Sequence, residues 1–271
     1  MKTAADIKSI ALQSLTELGH TDADSSLAQL RSHLHTHGVD PLATTTALMQ
    51  SHQLLCLGEI HDFAGRYMGA NLIIAAAQGG AQFLFIEVYQ TSQFEIDQFV
   101  LTGKIECLPL SAGGGNEPPM RFQQPYVEML CAARNAGMHI IAIDCEDGDF
   151  DERNRVMAQI IQTHLCDPAL RGVAVVGQLH LVNRLIFGSA PSMSTRLRGM
   201  LNGSVVTIGR ATPDTYPQFS VWADVAGVSQ PKLLSTAHSP FQTLPSTYGD
   251  ETILGSDFDH IFFYPTEAVF D

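Results

Sequence analysis

Short unbroken apolar runs, separated by helix-forming stretches, set the rhythm of this chain from residue 53 onward. "QLLCL" (53–57) is followed by "AGRYMGANLIIAAAQGG" (64–80), which holds helix formers and closes on a glycine pair, and then by "AQFLFIEV" (81–88). The pattern predicts strand, helix, strand. It recurs as a helix over 124–137 and a strand over 138–144, a helix over 151–165 and a strand over 172–177, then a helix over 192–203 and a strand over 204–209. The strands read as continuous apolar runs rather than alternating ones, which is the habit of strands buried on both faces. The expected fold is therefore α/β, with a mostly parallel central sheet flanked by helices on both faces.

Other segments break this rhythm. Residues 1–50 read as a comparatively polar N-terminal helical extension ahead of an α/β domain spanning 51–271. The histidines of "HLHTHG" (His33, His35 and His37) have no carboxylate or cysteine beside them and read as a solvated helix end. "PLSAGGGNEPPMRFQQP" (109–125) is long and rich in Gly and Pro, as expected of a loop or a lid. Residues 211–257 read as an excursion from the sheet, and "HIFFYPT" (260–266) as one last strand.

Composition narrows the function classes. At 271 residues and 45% apolar content the chain can bury a sizeable core as one large domain. A formal net charge of −13 argues against nucleic acid or an anionic membrane surface as the main partner, since both need a basic face, and leaves a small molecule or a peptide. Asp6, Lys8 and Glu17 interrupt the first helix, so it reads as amphipathic and not as a signal peptide. The cysteines (Cys56, Cys107, Cys131, Cys145 and Cys166) are odd in number and widely spaced, which suits reduced thiols and a cytoplasmic protein. No apolar run reaches the roughly 18 to 20 residues of a membrane span.

The candidate chemistry lies where these strands end. The first strand runs into Glu59 and His61, the second into Glu87, the third into Asp144, and the fourth into Gln178 and His180. In an open parallel sheet such carboxyl ends share one edge, and ligands bind in the crevice outside it. Glu59 and His61 are two residues apart, so an extended backbone points both the same way, and a carboxylate beside an imidazole makes a workable acid/base pair. His61, Glu87 and His180 would equally serve a divalent metal with positions left for water. The sequence leaves open whether water is activated by histidine alone or by metal. Arg66, five residues past His61, and Arg153, in the helix after Asp144, are candidates to bind substrate together with Asp144. There is no G-x-S-x-G elbow, Walker A loop, H-E-x-x-H helix or C-x-x-C pair. The acidic run "DCEDGDFDE" (144–152) lacks EF-hand spacing and reads as a loop leading into a helix N-terminus.

"LGEIHD", "FIEV" with "TSQFEIDQFVLTGKI", "YVEMLCAARNAGMHIIAID", "RNRVMAQII", "VVGQLHLV" and "STRLRGMLNGSVVTIG" occur in this order. Together they resemble the ChaN-like haem-binding and uptake family, within the superfamily that includes erythromycin esterases and TIKI/TraB proteins, over roughly residues 50–265. The resemblance implies a mixed α/β core and a site on Glu59, His61, Glu87 and His180. It also implies a histidine acting as base on water in the esterase branch, a divalent metal in the TIKI branch and haem binding in the uptake branch. Three functions follow as expectations. The first is a hydrolase of an ester or peptide-like substrate, the second a binding protein for haem or an iron-related ligand, and the third a host-directed effector domain on the same fold.

Overall fold

The computed structural model describes residues 4–59, 68–109, 122–186, 190–211, 217–248 and 251–264. The chain divides into two compact units, one formed by Leu42–Ile208 and the other by Met1–Pro41 with Gly209–Asp271. Their strands are β1 (Leu54–Glu59), β2 (Phe83–Tyr89), β3 (His139–Asp144), β4 (Gly172–Gly177), β5 (Leu185–Ile186), β6 (Ala190–Pro191), β7 (Val205–Ala211), β8 (Lys232–Ser235), β9 (Pro245–Tyr248), β10 (Glu251–Leu254) and β11 (His260–Phe263). Among the described residues one sheet has seven strands in the order β3-β2-β4-β1-β7-β11-β8. The α/β architecture expected from the apolar runs is the one observed.

Within Leu42–Ile208 the pairings β2–β3, β2–β4, β1–β4 and β1–β7 are all parallel. The helices are α3 (Pro41–Ser51), α4 (Gly69–Gln78), α5 (Gln93–Thr102), α6 (Gln124–Asn135), α7 (Phe150–His164) and α8 (Met193–Met200). Every residue of β1 is buried, and so are the first five of β4, because helices cover both sides of a sheet that parallel crossovers build. The sequence runs that read as continuously apolar are these strands. Leu54, Leu55, Leu84, Phe85, Val173 and Val176 form the centre of the core.

The second unit has α1 (Ala4–Glu17), α2 (Ala23–His37) and α9 (Pro217–Ala226), which pack on one another, with β8 and β11 antiparallel. The buried Trp222 indole donates to the Leu244 carbonyl at 3.0 Å. α2 begins at Asp22, whose carboxylate accepts from the Ser25 N–H at 3.0 Å, and ends at His37. His33 and His37 meet one turn apart with ring centroids 4.4 Å apart at that end. Residues 211–257 do not form a plain excursion, because β8 returns to the sheet with Leu233 and Leu234 buried. With only two apolar residues, "KLLS" is too short a run for periodicity to mark as a strand. Most of the 109–125 loop, residues 110–121, lies outside the described residues. No described helix is long and apolar enough to cross a membrane.

β4 sits between β2 and β1, and Gly172 begins it opposite both Phe83 and Leu54. A Cβ on Gly172 would stand 2.6 Å from Cε2 of Phe85, whose ring is fully buried. Gly172→Ala is therefore expected to destabilise the protein by about 1–3 kcal/mol through overpacking. Equilibrium urea unfolding measures the loss, and a Phe85→Leu background should recover part of it.

Candidate functional site

The strand order singles out one pair of strands as the place to expect a crevice. From β1 the chain crosses to β2 on one side, and from β4 it crosses to β7 on the other, while β1 and β4 are direct neighbours. Right-handed crossovers leaving adjacent strands in opposite directions pass over opposite faces of the sheet and open a gap at the strands' carboxyl ends. β1 ends there at Glu59, which is opposite Gly177, the last residue of β4. Gly58 precedes it because a Cβ would lie 3.1 Å from Oε1 of Gln178 and 3.2 Å from the Ile208 carbonyl, a space that leaves little for any side chain.

The other strand-end residues arrive by separate routes. Glu87 lies in β2 where its register with β3 shifts between Ile86 and Tyr89, an irregularity of the kind that redirects a side chain. Asp144 ends β3. β4 passes into a single 3-10 turn, Gln178–Leu181, which carries His180. Glu59, Glu87, Asp144 and His180 are all buried, at 3, 8, 1 and 4% exposure. Carboxylates are rarely so buried without partners.

Arg153 supplies the countercharge. It stands on the first turns of α7, a helix whose N-terminus is fixed by Asp149 accepting from the Glu152 N–H at 2.9 Å. Its Nε donates to Asp144 Oδ1 at 2.9 Å and its Nη2 to Asp144 Oδ2 at 2.7 Å, a bidentate pairing. The same Nη2 donates to Glu87 Oε1 at 2.6 Å. Glu87 Oε2 accepts from the Gly177 N–H at 2.5 Å, and Glu87 Oε1 lies 3.3 Å from His180 Nε2. One guanidinium thus ties the ends of β2 and β3 together, and one carboxylate ties β2 to the end of β4 and to the imidazole. The Asp144 hydrogen bond, then the Glu87 charge, raises the Arg153 pKa above its ordinary value against the opposing effect of burial.

Two residues that strand-end reasoning passes over complete the surroundings of His180. Its Nδ1 is 2.8 Å from Oδ1 of the fully buried Asn154, and its ring stacks on Phe150 with centroids 4.8 Å apart and planes 15° apart. Asparagine inside a helix is poorly favoured, and that is the trace these contacts leave in "DERNRVMAQII". Arg155, on the same helix, pairs instead with the exposed Glu152 at 2.5 Å.

The structure thus brings Glu87, His180, Asp144 and Arg153 into one hydrogen-bonded cluster, with Glu59 adjacent through Gly177. His61, Asp62 and Arg66 lie outside the described residues. Among the described residues no three histidine, cysteine, aspartate or glutamate side chains group to hold a metal ion. Beside Asp144 a cavity of about 380 Å3 opens, lined by Thr91, Cys145, Glu146, Asp147 and Glu152 among others. Burial first, and the Asp144 charge second, push the Cys145 thiol up, so it is held as the weakly nucleophilic protonated form. Among the residues of "DCEDGDFDE", Asp149 caps α7, and Glu146 accepts from the Thr91 hydroxyl at 2.7 Å.

No family model matches the sequence, and no curated protein does. Solved structures match at the level of fold. A protein described as a succinoglycan biosynthesis protein is 11% identical with a TM-score of 0.63, over 91% of this chain and 98% of that one. A Bacillus cereus protein of structural-genomics origin is 12% identical with a TM-score of 0.56, over 88% of this chain and 97% of that one. Toxin effector domains are also among the neighbours. RRSP, a MARTX toxin effector domain from Vibrio vulnificus, is 18% identical with a TM-score of 0.42, over 66% of this chain and 37% of that one. This chain spans 41% and 37% of the lengths of two toxin chains it matches. The two likenesses with TM-scores of 0.56 and 0.63 establish a shared fold.

Removing the guanidinium from the cluster would strand two buried carboxylates. Arg153→Met is expected to cost about 3–5 kcal/mol in unfolding free energy. Adding Asp144→Asn in the same chain should return part of that loss, because it removes one of the two uncompensated charges. Denaturant titration of the single and double variants checks both.

Proposed function

We propose that the strand-end cluster is a hydrolytic site that activates water on an ester or a peptide-like substrate without a resident metal. The observation that carries this reading is the His180–Glu87–Arg153–Asp144 network, in which a buried imidazole is held just past the carboxyl end of β4, beside β1. In this reading Glu59 and His61 position and deprotonate the water. His180 works through Nε2 beside Glu87, taking up a proton there and, once charged, stabilising or protonating the group that departs. Arg153 holds Glu87 and Asp144 in place, and Arg66 holds an anionic group of the substrate. The acidic wall of Asp147 and Glu152 in the cavity beside Asp144 suits a peptide or amine-bearing substrate portion on that side.

The metal-dependent version receives less support from the donor set. Glu87 Oε1 already accepts from Arg153 and Oε2 from the Gly177 N–H, so a cation on Glu87 would sit against a guanidinium. The residues around the described crevice also do not fit haem. Four of the eight residues lining the adjacent cavity are carboxylates, joined by Gln90, Thr91, Cys145 and Val156, whereas haem needs a wide apolar slot with an axial ligand in it. The motif resemblance to the ChaN and erythromycin esterase superfamily agrees with a hydrolytic reading, and the fold likeness to the succinoglycan-titled protein supports the α/β scaffold alone. A host-directed effector would employ the same residues on a different substrate.

The test is a mass-spectrometric screen of aryl esters and of a proteome-derived peptide library, with wild type, Glu59→Gln, Glu87→Gln and His180→Gln, each with and without a strong chelator. Turnover by wild type that survives chelation and falls at least about 100-fold in His180→Gln is expected. Turnover abolished by the chelator and restored by zinc would replace this reading with the metal-dependent one. No cleavage by any form, together with a Soret band on haem addition, would replace it with ligand binding.

A further inference from the structure

Asn154 has a different standing from the charged residues around it. It lies inside α7, completely buried, at a position where asparagine weakens a helix. Its amide contacts three separate segments of chain. Nδ2 donates to the Phe150 carbonyl one turn back at 2.7 Å. Oδ1 accepts from the Met193 N–H, at the first residue of α8, at 2.8 Å. The same Oδ1 is 2.8 Å from His180 Nδ1.

These contacts fix the amide's orientation. Rotating it by half a turn would put an NH2 against the Met193 N–H and an oxygen against the Phe150 carbonyl, so two hydrogen bonds would become two repulsions. Oδ1 therefore faces His180, and an amide oxygen has no proton to give. The hydrogen bond forms only if Nδ1 carries the proton. Phe150 restrains the same ring a second way, since it supplies both the carbonyl that anchors the amide and the aromatic face stacked on the imidazole.

We infer that Asn154 is a positioning residue that holds a proton on His180 Nδ1, so that Nε2 is the nitrogen presented to Glu87 and to the strand ends, an acceptor in the neutral ring and a donor to Glu87 once the ring is charged. A tautomer set by a neutral amide differs from one set by a carboxylate. The acceptor adds no charge next to the imidazole, so the charge near His180 comes from the Nε2 side, where Glu87 and Arg153 stand. The inference also accounts for why a buried polar residue links α7, α8 and the turn after β4. The ring must be both oriented and denied its other tautomer.

Its bearing on turnover rests on the hydrolytic reading, but its direct readout does not. Protein labelled with 15N-histidine is examined by long-range 1H–15N correlation, with His180 assigned by its disappearance in His180→Gln. Wild type is expected to have Nδ1 protonated, and Asn154→Asp, which keeps an acceptor, is expected to retain that pattern. Asn154→Leu, of similar size but without an acceptor, is expected to lose it and to show Nε2–H or a mixture. An unprotonated Nδ1 in wild type overturns the inference with no variant needed, so a variant that fails to fold leaves it falsifiable. On any ester or peptide found to be cleaved, Asn154→Leu should lower kcat by about 10–100-fold with KM little changed, and Asn154→Asp should recover most of it. If nothing is cleaved while Nδ1 is protonated, the hydrolytic reading fails and the tautomer lock stands. If cleavage occurs while Nδ1 is unprotonated, the reverse holds.

Discussion

The guanidinium of Arg153 is the contact on which the arrangement of the strand ends depends. Parallel strands fix the backbone of β2, β3 and β4 side by side, but around Glu87 the β2–β4 pairing has ended and the β2–β3 register shifts. Beyond that point the carboxylates of Glu87 and Asp144 would be buried and mutually repulsive. Arg153 sits between them, with Asp144 held through both oxygens and Glu87 through one. Glu87 is then free to spend its second oxygen on the Gly177 N–H and to face His180. A lysine could not substitute on geometry, since a point-charge ammonium lacks the fork that engages both oxygens of Asp144.

A buried ion cluster of this kind is a poor way to make a protein stable, because desolvation offsets much of the attraction. Its merit is definition. The imidazole of His180 has a charged partner on one nitrogen, a neutral acceptor on the other and an aromatic ring on its face. One restraint comes from β2 and two from the first turns of α7, so the side chain has no alternative orientation that keeps all three. Rigid placement of that sort is what acid/base chemistry needs from a scaffold.

Much of the scaffold was legible in the sequence because burial on both faces writes itself as unbroken apolar runs. "GVAVVG" is β4 to the residue, and "MHIIAID" is β3 with one residue added. Strand ends were legible for the same reason, since Glu59, Glu87 and Asp144 interrupt or close such runs. The partnerships were not. Arg153 reads in sequence as one of several helix-surface arginines, and only the turn of α7 over β3 aims it at Asp144 and Glu87 while Arg155, two residues on, pairs with exposed Glu152. Asn154 carried a faint signal, an unfavourable residue within a helix. Its partners lie 26 and 39 residues away, and no local pattern encodes them. β8 escaped because "KLLS" holds only two apolar residues, whereas the equally short β11 shows three in a row.

The central claim is that this cluster brings water to a carbonyl. The most direct measurement is incorporation of 18O from labelled water into the acid product, read by mass spectrometry on a mixed panel of aryl esters and peptides for wild type and His180→Gln. The account predicts one labelled oxygen in the product formed by wild type and none above the uncatalysed background for the variant. Product free of label, labelling equal in both proteins, or no product at all would contradict it.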